Sequence, residues 1–330
     1  MTYTPKLPIP QQGALVAMIE KSELLAIGND RLRRLATYAS ISVATILIGI
    51  KLMAWLMTDS VAMLSSLLDS TVDLLSSFVT AYGVASALRP PDHDHRFGHG
   101  KAEPLAALAQ AAFIAGSSVL LGYEALSRFY HPHEIQNEQF GYVVMGVSIA
   151  LTLLLVWFQH YVVHRTSSIA IHADRLHYIG DLAVNVAVVI SFAMYQWTGI
   201  GWFDPIFALI VGVGLAVTAG RIAIQSLHIL MDRELSDDDR AKIRKVVESQ
   251  AGVVGLHDMR TRSDSDRAFM ELHVEMDPEI SLRDAHNVSD SIMVAVDKVF
   301  PGADIIIHQD PAGLEENRLD VQIEQREGTP

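Results

Sequence analysis

The sequence predicts an α-helical membrane protein with six transmembrane helices, followed by a C-terminal α+β domain of element order αββαβ. Three observations carry this. Half of the 330 residues are hydrophobic and the mean hydropathy is +0.26, as suits a membrane protein with a soluble part attached. A helix needs about 20 mostly apolar residues to cross a bilayer, and six stretches supply them: 35–56, 60–88, 104–129, 140–163, 169–197 and 207–230. From Ser236 onward the composition becomes an ordinary charged mixture in which helical and alternating patterns take turns. The expected organisation is an N-terminal extension over 1–30, a six-helix domain over 31–231, a cytoplasmic domain over 232–311, and a polar, disordered tail over 312–330.

The spans are oriented by Lys and Arg in the short connections. Arg31, Arg33 and Arg34 precede the first span, Arg89, Arg96 and Lys101 separate the second from the third, and Arg165 and Arg175 lie around the fourth connection. The opposite connections hold only Arg128. Both termini are therefore expected in the cytoplasm. No cleavable signal is expected, because the basic residues follow the mild apolar stretch ALVAMIEKSELLAI. That stretch has a weak helical stripe and reads as an amphipathic helix on the membrane surface.

In the soluble part, Ser236 with Asp237, Asp238 and Asp239 opens a helix expected to run to Gln250 and stop at Gly252. Residues 253–262 read as a strand, 263–266 as a turn and 268–276 as a second strand. Alternation there sends Met270, Leu272, Val274 and Met276 to a core, and Phe269, Glu271, His273 and Glu275 outward. Ser281 starts another helix that ends at Pro301 and Gly302, and 304–310 is the last strand. A domain this small is marginal alone, so dimerisation is a natural support.

Net charge and residue types narrow the chemistry. A formal charge of −13 argues against nucleic acid, which calls for basic patches. With no cysteine there is no disulfide, thiolate metal site or thiol nucleophile. Any metal must be held by histidine and carboxylate, which suits Zn(II), Mn(II) or Fe(II).

Ionisable residues interrupt two of the apolar runs: Asp69 and Asp73 in one, His177 and Asp181 in the other. Each pair is four residues apart, and on a helix such residues project from one face about 6 Å apart. Asp69 lies about 15 Å into its span by helical rise, near mid-bilayer. Brought together, the four offer one imidazole nitrogen and three carboxylates, a tetrahedral set suited to zinc. Three carboxylates over-neutralise a divalent ion, so without metal the site takes up protons, and metal displaces them. Trading metal for protons at mid-membrane is antiporter chemistry.

Other polar residues read more plainly. Asn185 fits helix packing, and Glu124 and Arg128 pair one turn apart. His160 and His164 have ligand spacing but sit at a basic interface and read as surface residues. His228 and the His131–His133 turn are too isolated to assign. The loop PPDHDHRFGHGKAEP contains Asp92, His95 and His99 at flexible ligand spacing, with His93 and Asp94 as spare ligands. On the expected strands, His273, His308 and Asp310 point away from the core.

Taken together, LLDSTVDLL, RFGHGKAEPLAALAQ, ADRLHYIGD and DIIIHQDP resemble the cation diffusion facilitator family, in particular its bacterial zinc- and iron-efflux members, over residues 31–311. The resemblance implies an inner-membrane homodimer with a metallochaperone-like cytoplasmic domain that binds metal and dimerises, exporting divalent metal against proton influx. It implies a transport site at Asp69, Asp73, His177 and Asp181, and a loop site at Asp92, His95 and His99. It also implies a paired-metal site at the domain dimer interface on His257, His273, His286, His308 and Asp310. A transport site of one histidine and three aspartates resembles the zinc- and cadmium-selective members. Zinc is then both cargo and structural or regulatory ion, with cadmium, iron or manganese as other candidates. No catalytic role is expected, since an intramembrane metallohydrolase needs a general base and an open coordination position, and the chain has no HExxH. The nearer rivals are a passive channel or importer, and a membrane-anchored metal sensor.

Overall fold

The computed structural model describes residues 12–58, 61–130, 139–264, 267–314 and 318–327. It contains two compact units, one spanning Asn29–Leu230 and the other containing Met231–Pro330. The helical unit is built from α1 (Gln12–Thr58), α2 (Val61–Ala87), α3 (Ala102–Tyr130), α4 (Gln139–Thr166), α5 (Ile169–Thr198) and α6 (Phe203–Leu230).

Five of these, all but α2, contain segments long and apolar enough to cross a membrane. α2 occupies the second expected span, but Asp69, Asp73 and a run of serines lower its hydropathy. It packs mainly on α3 and α5. The N-terminal stretch departs from expectation. From Gln12 it is continuous with the first span rather than a helix of its own, because nothing between Gln12 and Arg31 is a proline that would break it. Residues 1–11 and the His131–His133 turn lie outside the described residues.

Small residues let the helices approach closely. Ala107 and Ala111 of α3, Ala173 of α5 and Ala219 of α6 share one buried cluster, as expected where packing rather than hydrophobic force joins helices. At Gly83 of α2, an added Cβ would lie 2.3 Å from the Ala106 Cβ of α3. Only glycine allows that approach.

The soluble unit follows the expected order: α7 (Asp237–Glu248), β1 (Gly255–Ser263), β2 (Ala268–Met276), α8 (Leu282–Asp297) and β3 (Asp304–Pro311). The Ser236 and Ser281 hydroxyls accept from the Asp239 and Asp284 amides, capping α7 and α8. The sheet order is β1-β2-β3, with β1 antiparallel and β3 parallel to β2. Met270, Leu272, Val274 and Met276 face inward against Ile243 and Val247 of α7 and Val288, Ile292 and Val296 of α8.

Two expectations fail here. Phe269 does not face solvent: it is buried, and the Arg262 guanidinium lies 4.2 Å from its ring centroid. The tail is not simply disordered. It contains α9 (Leu319–Glu327), whose first amides are capped by Asp258 of β1.

Candidate metal sites

Among the described residues, three groups of side chains have ligand atoms within 4.8 Å of one another: Asp73, His177 and Asp181; Asp92, His95 and His99; and His257, His273 and Asp310.

In the helical unit, α2 contributes Asp73 and α5 contributes His177 and Asp181. His177 Nε2 lies 3.0 Å from Asp73 Oδ1 and 3.8 Å from Asp181 Oδ2. The imidazole is buried, 4% exposed, and the Asp181 side chain is 39% exposed. Polar bonds fix the two helices: Ser77 of α2 bonds the Tyr178 hydroxyl at 2.9 Å, and Gln110 of α3 donates to Ser76 at 3.0 Å. Asp69, the fourth expected ligand, is not in the group; it sits one turn along α2 with an exposed side chain.

Two features of this region escape a search for ligand pairs. Asp174, one turn before His177, is buried and accepts at one oxygen from Ser40 of α1 (2.6 Å) and Gln159 of α4 (2.7 Å). It thereby ties three helices together beside the site. Its position on the ligand face of α5 is the signal that could have marked it. Lys51 of α1 donates to Ser70 Oγ at 2.6 Å and to the Ser66 carbonyl at 3.2 Å. Farther off, Arg33 and Glu103 form a buried ion pair at 3.5 Å, with Arg33 donating to the Thr166 carbonyl and Ser168 to Glu103.

The loop group is organised by Asp92. Its Oδ1 accepts from the backbone amides of His95 (2.7 Å) and Asp94 (3.0 Å), and these bonds hold the carboxyl below the usual range. The same carboxylate faces both imidazoles, at 3.3 Å from His95 Nδ1 and 3.3 Å from His99 Nε2. His93 and Asp94, the spare ligands, point away and pair with each other.

In the soluble unit the sheet register does the assembling. His257 of β1 is opposite His273 of β2, which is opposite His308 of β3, so three imidazoles lie side by side across the sheet. Their neighbouring ring centroids are 5.3 and 4.7 Å apart. Asp310 lies among them, 3.6 Å from His257 Nε2, 3.0 Å from His273 Nδ1 and 3.1 Å from His308 Nε2. His286 is not brought to this cluster. It lies on α8, exposed and 3.6 Å from Asp290, and α8 packs on the opposite, core face of the sheet. One neighbour was missed: Glu275, whose Oε1 lies 3.3 Å from His257 Nδ1 and bonds Arg318. Alternation along β2 puts it on the same face as His273, a signal the sequence does carry.

The remaining assignments hold in part. Glu124 and Arg128 pair at 3.1 Å, but Arg128 also binds Asp204 of α6 at 2.5 Å. His160 accepts at Nδ1 from Arg175 at 2.7 Å.

A bundle of membrane-crossing helices with a carboxylate–imidazole group inside it, joined to an α+β domain bearing a second such group, defines a cation-handling membrane transporter. The comparisons agree. A model of the cation efflux transmembrane domain matches residues 37–231, and one of the cation efflux protein cytoplasmic domain matches 235–312. The cation-efflux pump FieF of Shewanella oneidensis is 42% identical over 282 residues, covering 86% of this chain and 95% of that protein. Protein p34 of Rickettsia rickettsii is 39% identical over 289 residues, covering 87% and 95%. A solved structure of CzrB in its Zn form is 26% identical and covers 26% of this chain and 99% of that one, with a TM-score of 0.24. The chain belongs to the cation efflux, or cation diffusion facilitator, family: it is a multi-pass membrane transporter with the family's cytoplasmic domain.

Proposed function

We propose that this transporter exports zinc from the cytoplasm in exchange for protons, as a homodimer in a bacterial inner membrane with both termini cytoplasmic. The observation that carries the reading is the group of Asp73, His177 and Asp181 inside the helical bundle. A buried imidazole nitrogen between two carboxylates suits zinc better than harder cations. Asp69, one turn from Asp73, is the carboxylate that completes a four-ligand set as the ion arrives. All four ligands bind protons in place of metal, so loading releases protons and protonation releases metal. A more acidic exterior then drives unloading outward.

The loop group of Asp92, His95 and His99 and the cytoplasmic cluster of His257, His273, His308 and Asp310 offer donors of the same kind, and they serve as further zinc sites. The cluster's face of the sheet is the one that α7 and α8 leave uncovered. A second copy meeting it would bring charge-neutralising metal to an acidic interface, and could supply the His286 that the cluster lacks within one chain. The test is zinc flux in proteoliposomes holding the full chain. Uphill movement is expected only with an imposed pH gradient, and Asp181→Ala should abolish it. Uphill accumulation with the gradient collapsed would exclude antiport, and gradient-insensitive downhill flux would favour a passive channel.

A further inference from the structure

Lys51 has no place among metal ligands, yet it stands in the apolar run ILIGIKLMAW of α1. An ammonium there costs roughly 2.5–3.5 kcal/mol unless something repays it. Its Nζ is fixed on α2 by Ser70 Oγ at 2.6 Å and the Ser66 carbonyl at 3.2 Å, and these residues flank Asp69. From that point its charge acts on Asp73, Asp69 and Asp181 together. No hydrogen bond from Lys51 to these carboxylates is present, so it neither blocks their oxygens nor pairs with one of them alone.

We propose that Lys51 is the built-in counter-charge of the membrane site, setting it so that one divalent ion neutralises it. This rests on the reading of Asp69, Asp73, His177 and Asp181 as the transport site. Metal binding requires deprotonated ligands, so in the loaded site three carboxylates and a neutral imidazole, with the Lys51 ammonium beside them, bring a charge of minus two to the ion. A divalent ion brings that to zero, and an occupied site with no net charge can pass between its two accessible states without carrying charge through a low-dielectric interior. Without Lys51 the empty site is more negative and the loaded site keeps one uncompensated charge. Metal is then held at least as tightly, but moves and leaves slowly. Lys51 is a positioning and specificity residue that acts through charge.

The experiment compares full-length wild type with Lys51→Gln, Lys51→Arg, Ser70→Ala and Asp181→Ala in proteoliposomes. It reads zinc flux, and equilibrium zinc binding as the component that Asp181→Ala removes. Glutamine keeps a donor for Ser70 but loses the charge. Alanine at 70 removes the tether while leaving the ammonium in place. Lys51→Gln should cut flux by about tenfold or more without weakening the Asp181-dependent binding. Lys51→Arg and Ser70→Ala should both stay within a few-fold of wild-type flux. Wild-type flux in Lys51→Gln would overturn the proposal, as would a loss in Ser70→Ala as large as that in Lys51→Gln, since a mere tether between α1 and α2 predicts equal losses. If Lys51→Gln fails to fold, Ser70→Ala decides: retained flux with the tether gone supports charge balance, and lost flux refutes it. Wild-type flux in Asp181→Ala would instead sink the underlying site assignment.

Discussion

Asp258 and Asp320 cap each other. The Asp258 amide donates to Asp320 Oδ2 at 2.9 Å, and the Asp320 amide returns the bond to Asp258 Oδ1 at 2.9 Å, while Leu319 donates to Asp258 Oδ2 at 2.9 Å. Asp258 can do this because β1 bulges between His257 and Arg260 and the residue takes φ +44°, a conformation that aspartate tolerates better than most side chains. The first amides of α9 are thus satisfied by a strand some 60 residues earlier in the chain.

Asp258→Ala should release α9, costing about 1 kcal/mol as typical cap losses do, with faster amide exchange at 319–327 as the readout. The pH dependence has a definite sign. Burial works to raise the Asp258 carboxyl, but the Asp320 and Leu319 amides outweigh it and hold the group below its ordinary value. A lowered carboxyl contributes stability above its unfolded value of about 3.9, and that contribution disappears as pH falls through the folded value. Exchange at α9 should therefore be unaffected by this group at neutral pH and rise only in acid below about pH 4.

Arg33→Ala should be among the most damaging single changes in the helical unit. Its guanidinium is buried against Glu103 and also holds the Thr166 carbonyl at the end of α4. Removing one partner of a buried pair strands the other charge and costs about 3–5 kcal/mol. A large drop in melting temperature in detergent is the expected result, and Arg33→Lys should lose part of it because an ammonium cannot match the fork of bonds.

His177→Asp should shift preference from zinc and cadmium toward manganese, because it replaces the nitrogen ligand with a hard oxygen. Competition flux assays read this directly. Unchanged selectivity would remove imidazole as the discriminating group.

Much of this arrangement was legible in the sequence, and what was missed has physical reasons. Asp73, His177 and Asp181 stood out because charge inside an apolar run is costly, and four-residue spacing puts ligands on one helical face. Met270, Leu272, Val274 and Met276 were readable from alternation. Phe269 was not, because the guanidinium of Arg262 on the neighbouring strand lies over its ring, which periodicity does not encode. Lys51 and Asp174 act by tying helices to each other, Lys51 through Ser70 and Asp174 through Ser40 and Gln159. Such bonds depend on how helices pack and leave no spacing signature. α9 was invisible for a similar reason: its polar sequence earns its order from Asp258, far upstream.

Asp310→Asn should weaken zinc binding at the cytoplasmic cluster more than loss of any one of its imidazoles. Asp310 is the residue that touches His257, His273 and His308 together, and it is buried, 5% exposed. As a carboxylate it can give one oxygen to metal while its other oxygen orients an imidazole, and asparagine loses both the charge and half of the acceptor capacity. Glu275 supports the same site from the far side of His257, where a carboxylate near Nδ1 turns Nε2 toward the cluster. Ligand bound only to the folded state stabilises by mass action, so zinc should raise the melting temperature of the full chain in detergent through this site. The increment should shrink strongly in Asp310→Asn and modestly in Glu275→Gln. It should persist in Asp181→Ala, whose membrane site is broken but whose cytoplasmic cluster is untouched. An increment unchanged in Asp310→Asn would mean that zinc stabilises the protein elsewhere, and the cluster would lose its assignment as a metal site.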